Sequence, residues 1–479
     1  MLNKKLFGCA LFLMLAFFSN AQTADTSAIK YTLQQCIQIA LKNNANINHS
    51  EILSETQKVN LGAARGYMLP TLNGSVVHGI NSGRSINPYT NTYDNQNTTY
   101  GSYGLNSNLT LFNAFAIQNN IKENRLAYDA TKMEIQQNKD QVALNVILEY
   151  LQVLTNTDLL EASNQQKTVT GKQVDRLSIL NDEGSISPSD FYDLKGKYAA
   201  DQLTAVNAEN ALETAKVLLS QLLNLPYNKN MQFERIGLDQ TENNSGTTDS
   251  IYQAALQNLA IIKATDLRQQ SARYLVKTYR SQRFPSIYFS GGLGTNYSSN
   301  ATTQQLLNST DVQTSSYVLV DGNKTPVYAP QDNFSSSKLP YGNQFKNNYN
   351  TSFSIGINIP LLNNLQNKSQ IKNALLAQKD AQITANSTKT QLQQNIEQAY
   401  VNFTSAKSRF DLFSEQVDAF KESFREAEVR FNAGVITSVD YLIAKNNVDN
   451  ANINLIISKY NYVLSSMILD YYSGKLNFQ

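Results

Sequence analysis

The chain has 479 residues, 40 of them basic and 38 acidic, giving a net charge of +2 with the two signs interspersed, and so offers no basic stripe for nucleic acid. Two histidines (His49, His78) and two cysteines (Cys9, Cys36) are too few for a Cys-based zinc site, a His-rich metal centre or triad chemistry, and no cofactor is expected. No G-x-S-x-G, H-E-x-x-H, P-loop or dinucleotide fingerprint occurs, so an enzyme is not expected either.

At the N-terminus Lys4 and Lys5 precede an apolar run from Leu6 to Phe18 and then Ser19-Asn20-Ala21, which predicts a secretory leader over 1–21 with cleavage after Ala21. The run is about 13 residues, short of the roughly 20 that a spanning helix needs. Residue 22 is Gln, so no lipid anchor is expected at the new terminus, and Cys36 is left without a partner for a disulfide. Charged residues make up 16%, below the roughly 25% of an average soluble domain. Asn, Gln, Ser and Thr fill the difference, a neutral polarity suited to a water-filled lumen or an external surface.

Beyond the leader, an internal repeat organises the chain. ALKNNANI at 40–47 matches ALQNLAII at 255–262, and Pro70 matches Pro285, at an offset of 215 residues. Ile121-Lys122 matches Ile371-Lys372, and Gln141, Asn145, Tyr150, Gly184 and Asp190 match Gln391, Asn395, Tyr400, Gly434 and Asp440, at an offset of 250. The two copies are 22–225 and 249–475, joined by a connector at 226–248 and followed by a tail at 476–479. Since 250 less 215 leaves 35, the second copy carries a 35-residue insertion. It falls within about 297–349, a stretch rich in Asn, Ser, Thr, Tyr and Gly without steady periodicity, where a long surface loop is expected.

Each copy is predicted to open with a helix, at about 31–68 and 249–283, followed by a β-hairpin at 71–112 and 286–360. Phe353, Ile355, Ile357 and Ile359 alternate with Ser352, Ser354, Gly356 and Asn358, and Tyr103, Leu105, Leu109 and Leu111 alternate with Gly104, Asn106, Asn108 and Thr110. This pattern suits soluble hairpins on a core as well as an outer-membrane barrel, whose apolar face meets lipid. In a barrel, Tyr67, Tyr100, Tyr103, Phe284, Tyr288, Tyr349 and Phe353 near the strand ends would form aromatic girdles, and the GGLG at 291–294 would make room in the wall. Four strands cannot close a barrel, so the reading requires association: three chains give 12 strands and two give eight.

From Asn113 to Thr170 and from Asn363 to Ala433 neither Gly nor Pro occurs. A helix of about 65 residues extends roughly 100 Å, and Leu144, Ile147, Leu151 and Leu154 form the narrow stripe of antiparallel coiled-coil packing. The long helices are expected to end at turns 181–188 and 432–437. Gly184 and Gly434 would be the left-handed C-caps, with Ser187 or Ser189 and Thr437 or Ser438 as N-caps of helices at about 189–224 and 438–472.

The order helix, hairpin, long helix, turn, helix, twice over, resembles the TolC-like outer-membrane efflux family across essentially the whole mature chain. LSILNDEGSISPSDFYDLKGKY at 177–198 and VRFNAGVITSVDYLIAKNNV at 429–448 are similar to that family's tip-turn signature. The resemblance implies a mostly α fold with a membrane β-barrel contribution, namely a homotrimer with a 12-stranded barrel and a long helical barrel in the periplasm of a Gram-negative cell. It implies a passive outer-membrane duct of a tripartite efflux or type I secretion system, partnered by outer-membrane lipid, a periplasmic adaptor (membrane fusion protein) and an inner-membrane pump. Tyr103, Leu105, Leu109, Leu111, Phe353, Ile355, Ile357 and Ile359 would face lipid. The tip residues Gly184, Ser185, Ile186, Ser187, Gly434, Val435, Ile436 and Thr437 would dock the adaptor. The family's acidic constriction has no unambiguous match, and Asp182, Glu183, Asp190 and Asp440 are its candidates. MQFERIGLD at 231–239 would supply an equatorial strand. The rival expectation is a secreted structural or adhesive coiled-coil protein.

Overall fold

The computed structural model describes residues 30–86, 91–95, 97–237 and 246–476. The expected leader, residues 238–245 of the connector and the last three residues of the tail lie outside the described residues. In chain order the elements are β1 (Lys30–Tyr31), α1 (Leu33–Asn43), α2 (Ala45–Gly66), β2 (Thr71–Asn81), β3 (Ser85–Ile86), β4 (Tyr93–Asp94), β5 (Thr98–Phe112), α3 (Ala116–Asp182) and α4 (Pro188–Leu223). The connector contributes β6 (Gln232–Phe233). The second copy contains α5 (Thr248–Asn258), α6 (Ala260–Ser281), β7 (Ser286–Ser298), β8 (Thr302–Val320), β9 (Asn323–Lys338), α7 (Tyr341–Asn347), β10 (Asn350–Asn358), α8 (Gln366–Asn432) and α9 (Ser438–Tyr472).

The duplication extends to backbone detail. Thr32 and Thr247, 215 residues apart, N-cap α1 and α5. Positive φ angles at Ala114 (51°) and Phe115 (64°) recur 250 residues later at Asn364 (53°) and Leu365 (62°), in the turns that lead from strand to long helix. Helices α3 and α8 each hold 67 residues, roughly 100 Å at 1.5 Å per residue. The opening helices, expected to be continuous, are broken at matching points. Asn44 turns to extended backbone (ψ 120°), and its Oδ1 accepts from the N–H of Asn46 (2.9 Å) and Ile47 (3.3 Å), so its side chain ends one helix and starts the next. Leu259 makes the corresponding break at ψ 132° with its side chain buried.

The described residues fall into two compact units, through both of which the long helices run. The first comprises residues up to 54, 130–266 and from 384 onward. In its core Cys36, Ile37 and Ala40 of α1 pack with Ile147, Tyr150, Leu151 and Leu154 of α3, Leu219 and Leu223 of α4 and Val463 of α9. The second copy packs Ile251 and Ala255 of α5 with Leu392, Ile396 and Phe403 of α8 and Leu469 of α9. β1 and β6 pair in parallel, and the buried Tyr150 hydroxyl donates toward the carbonyls of Tyr31 (3.0 Å) and Glu234 (2.8 Å), anchoring this short sheet to α3. Of the segment 231–239, whose last two residues lie outside the described residues, Gln232 and Phe233 are strand.

The second unit comprises residues 55–129 and 267–383. It holds an antiparallel four-stranded sheet in the order β10-β7-β5-β2, leaving β10 and β2 as edges without a partner strand among the described residues. The insertion expected as a loop is instead the β8–β9 hairpin, registered from Thr302↔Lys338 to Val320↔Asn323, followed by α7. Asp321 and Gly322 turn it at φ 50° and 81°, the two left-handed positions that match strand twist in a two-residue hairpin loop. Thr, Val, Tyr and Leu along β8 favour extended backbone although no single face is apolar, so strict alternation does not reveal the strand. The buried Gln344 of α7 secures the return by accepting from Ser298 N–H (2.9 Å) and donating to the carbonyls of Ser298 (2.9 Å) and Leu339 (2.8 Å).

Candidate functional site

At the hairpin tips, α3 and α8 end identically. Gly184 (φ 64°) donates to Asn181 and Ser185 to Leu180; Gly434 (φ 70°) donates to Phe431 and Val435 to Arg430. These paired bonds form the Schellman arrangement, which satisfies the last carbonyls and requires a left-handed residue. Ser187 caps α4 through Ser189 N–H, and Thr437 with Asp440 forms a reciprocal capping box on α9. Ile186 and Ile436 turn inward onto a small core built around Leu177, Leu194 and the fully buried Tyr441, whose ring stacks on Phe431 at 4.7 Å. Ser185, Ser187, Val435 and Thr437 stay exposed.

The four candidate acids separate. Asp182 and Glu183 are exposed on the first turn. Asp440 serves its own helix, accepting from the Thr437 N–H (3.3 Å) and hydroxyl (2.9 Å). Asp190 accepts instead from the backbone N–H of Ser438 at 3.2 Å, while the Ser438 hydroxyl donates to Asp193 at 3.3 Å, so the first hairpin holds the start of α9. A second link runs between the long helices, where the Arg176 guanidinium donates to the Asn432 carbonyl at 2.8 Å. Ser438 was expected only as an N-cap candidate, Asp193 and Asn432 stand unremarked inside the tip-turn segments, and Arg176 lies outside them, so the sequence did not mark these four as linking residues.

Behind the tips lies a buried ion cluster that sequence reasoning also missed. Lys445, 1% exposed, binds Asp449 at 2.6 Å and Asp201 at 3.7 Å, while Lys197 reaches Asp201 at 3.0 Å and the Thr170 hydroxyl donates to it at 2.5 Å. Charges this deep persist because they are paired and hydrogen-bonded. Burial pushes the Asp449 carboxyl above its ordinary range, opposed by the attraction of Lys445. Among the described residues no group of three or more His, Cys, Asp or Glu is placed to hold a metal ion.

In the four-stranded sheet, register fixes which side chains share a face, because directly paired residues project the same way. Tyr103 pairs with Val76 and Thr295, Leu105 with Gly74 and Leu293, and Leu109 with Phe289, which also pairs with Ile355. Phe353 and Ile357 lie on this apolar face and are 75% and 63% exposed. The opposite face presents Asn73, Ser75, Ser102, Gly104, Asn106, Ser290, Gly292, Ser352 and Ser354, with Ser290 and Ser354 hydroxyls 2.7 Å apart.

Several expectations for the sheet are corrected. A register shift between Thr110 and Phe112 leaves Leu111 without a cross-strand partner, and Phe112 takes the place opposite Ile287. Ile359 lies one residue beyond β10. Tyr100 and Tyr288, grouped with the girdle residues, pair with Gly79 and Gly356 on the polar face instead. Tyr103 stays on the apolar face and is joined there by Tyr297 and by Tyr341 and Phe345 of α7. His78 stacks on Tyr297, and His49 is exposed.

One exposed apolar sheet face, two edges without a partner strand among the described residues, and helices of 67 residues that end in capped turns are the features that a wall closing by association would present. No described helix is long and apolar enough to cross a membrane. The family model described as outer membrane efflux protein matches residues 36–225 and 251–475, and the chain belongs to that family. It is thus an outer-membrane efflux channel extending into the periplasm, from a family of ducts rather than enzymes, and the secreted coiled-coil reading is set aside. The chain is 22% identical to outer membrane protein TolC of Escherichia coli K12, over 99% of its own length and 87% of that protein. Its fold is similar to that of CusC (TM-score 0.75, 16% identity, 93% of this chain and 92% of that one). It is also similar to that of VceC of Vibrio cholerae (TM-score 0.74, 14% identity, 92% of this chain and 96% of that one).

Proposed function

We propose that three copies join β2 to β10 around a ring, closing a 12-stranded barrel whose apolar face meets outer-membrane lipid and whose polar face lines an aqueous lumen. The observation that carries this reading is the open sheet: unpaired backbone edges are not tolerated in hydrocarbon, and another copy is the partner that satisfies both. The long helices extend the lumen through the periplasm, and solute moves passively from an inner-membrane pump held by an adaptor protein. The exposed tip residues Ser185, Ser187, Val435 and Thr437, with the turns at Gly184 and Gly434, present the adaptor-docking surface. Opening requires the tips to part, and the Asp190–Ser438 and Arg176–Asn432 bonds hold them together. Asp190 is therefore the favoured gate acid, while Asp440 maintains helix α9. Light scattering of the detergent-purified protein tests the assembly: three copies of the processed chain support it, and a stable monomer or dimer contradicts it.

A further inference from the structure

The β8–β9 hairpin leads into α7, and three contacts fix this short helix on the sheet. The Thr295 hydroxyl donates to the Phe345 carbonyl (2.8 Å), the Asn348 amide donates to the Asn296 carbonyl (2.9 Å), and the buried Gln344 binds both backbone groups of Ser298. Thr295 and Tyr297 share a face with Leu293 and Tyr103, so α7 lies on the apolar side of the sheet. Its rings continue that face. Tyr341 packs on Tyr297 with centroids 4.8 Å apart, Phe345 packs on Tyr103 at 5.7 Å, and the Tyr341 hydroxyl donates to that of Tyr103 at 3.0 Å.

Exposed Asn343, Lys346 and Asn347 make α7 too polar for hydrocarbon, while its Tyr341 and Phe345 rings are only half covered. Aromatic rings against an apolar wall, with amides and a lysine outward, suit the headgroup layer, where tyrosines are enriched and lysines reach toward water. The spacing agrees. On β7 the apolar face runs from Ile287 to Tyr297, roughly 34 Å along the strand and about 26 Å along the membrane normal at a tilt of about 40°. The apolar band of an outer-membrane barrel is about 25 Å tall. With Ile287 at one boundary α7 falls at the other, and the β8–β9 hairpin projects beyond it. Charge is sorted in the same sense. Between 299 and 349 the acidic and basic residues are Asp311, Asp321, Lys324, Asp332, Lys338 and Lys346. Lys338 closes the base of the hairpin opposite Thr302, and Lys346 stands in the last turn of α7, both exposed. The first acid along β9 from that base, Asp332, pairs with Ser309 roughly 20 Å farther out at about 3.3 Å per residue.

Resting on the duct reading above, we propose that α7 is a lipid-docking surface whose partners are phosphate-bearing lipids of the outer leaflet. Lys338 and Lys346 engage the phosphates, and Tyr341 and Phe345 lie among the upper acyl carbons beside them. Two observations select this occupant: the surface continues the apolar face of the sheet, and the charge at its level on this segment is positive, complementary to phosphate. Each copy contributes one such surface, so the insertion fixes the depth of the barrel and holds the β8–β9 hairpin outside the membrane.

The chain contains no tryptophan, so single reporters read depth directly. Phe345→Trp, Tyr341→Trp, Phe353→Trp and Val318→Trp are each reconstituted in phosphatidylcholine vesicles brominated either near the headgroup or near the chain ends. The reporters on α7 are expected to be quenched more by the shallow bromines, Phe353→Trp more by the deep ones, and Val318→Trp by neither. Brominated phosphatidylglycerol is expected to bind beside the Phe345→Trp reporter about fivefold or more tightly than brominated phosphatidylcholine, and Lys338→Gln with Lys346→Gln to bring that ratio to about one. Equal affinity for the two lipids, or a preference that survives loss of both lysines, would overturn the proposal. So would quenching of Val318→Trp, or a lack of shallow quenching on α7 while Phe353→Trp is quenched deep; the duct reading survives all of these. Absence of quenching at Phe353→Trp would instead overturn the duct reading itself.

Discussion

Asp190 and Asp440 occupy equivalent places in the two copies yet bind different partners, and this difference is measurable. Asp440→Ala removes the reciprocal cap of α9 and is expected to cost about 1 kcal/mol, seen as faster amide exchange over 437–441. Asp190→Ala leaves that cap intact but frees the Ser438 N–H, weakening the link between the hairpins, so it is expected to raise channel current more than Asp440→Ala does. Lys445→Met would leave the buried Asp449 without its paired ammonium, while Asp201 keeps only Lys197. A loss of about 3–5 kcal/mol is expected in urea unfolding, because the remaining carboxylates keep their desolvation cost. Asp449 also gives the tip a pH dependence. Its carboxyl is raised by burial, so the folded tip keeps a proton that the unfolded chain has released. Its contribution is fully present below the ordinary carboxylate range and is lost as pH rises through the folded value. Amide exchange over 441–449, corrected for intrinsic rate, should therefore slow on acidification, and Asp449→Asn should remove the effect.

Among the elements, the sheet makes the sharpest distinction between adjacent residues. Ile355→Lys is expected to destabilise the inserted barrel by about 2–4 kcal/mol if it lies near the bilayer midplane, whereas Ser354→Lys, on the opposite face, is expected to be accommodated. Equal effects on heat-resistant barrel formation would contradict the register. The faces were legible because alternation and burial demand agree in β5 and β10. The long helices were legible because Gly and Pro are absent from Asn113–Thr170, and Gly171 was tolerated beyond that point against Tyr198. The β8–β9 hairpin was not legible from periodicity, although Asp321-Gly322 is a hairpin signal in its own right. Helix breaks at Asn44 and Leu259 were hidden because continuous apolar periodicity passes through them. The tip turns were visible as Gly followed by capping residues, but the bonds joining Asp190 to Ser438 and Arg176 to Asn432 cross about 250 residues of chain and leave no local signature.

At the scale of the whole molecule, one chain provides everything a duct needs except closure. Its sheet has no partner strand at either edge among the described residues, and large apolar side chains such as Leu376, Ile383, Val401 and Leu412 along α8 remain exposed. In the proposed assembly, copies of the chain complete both features: strand edges pair in the membrane and helix faces pack in the periplasm. The most direct test is single-channel recording of the purified, detergent-solubilised protein inserted into a planar lipid bilayer. The account predicts discrete, small current steps that grow when Asp190 is replaced by Ala. A protein that enters the bilayer without conducting, or that stays in solution and never inserts, would contradict it.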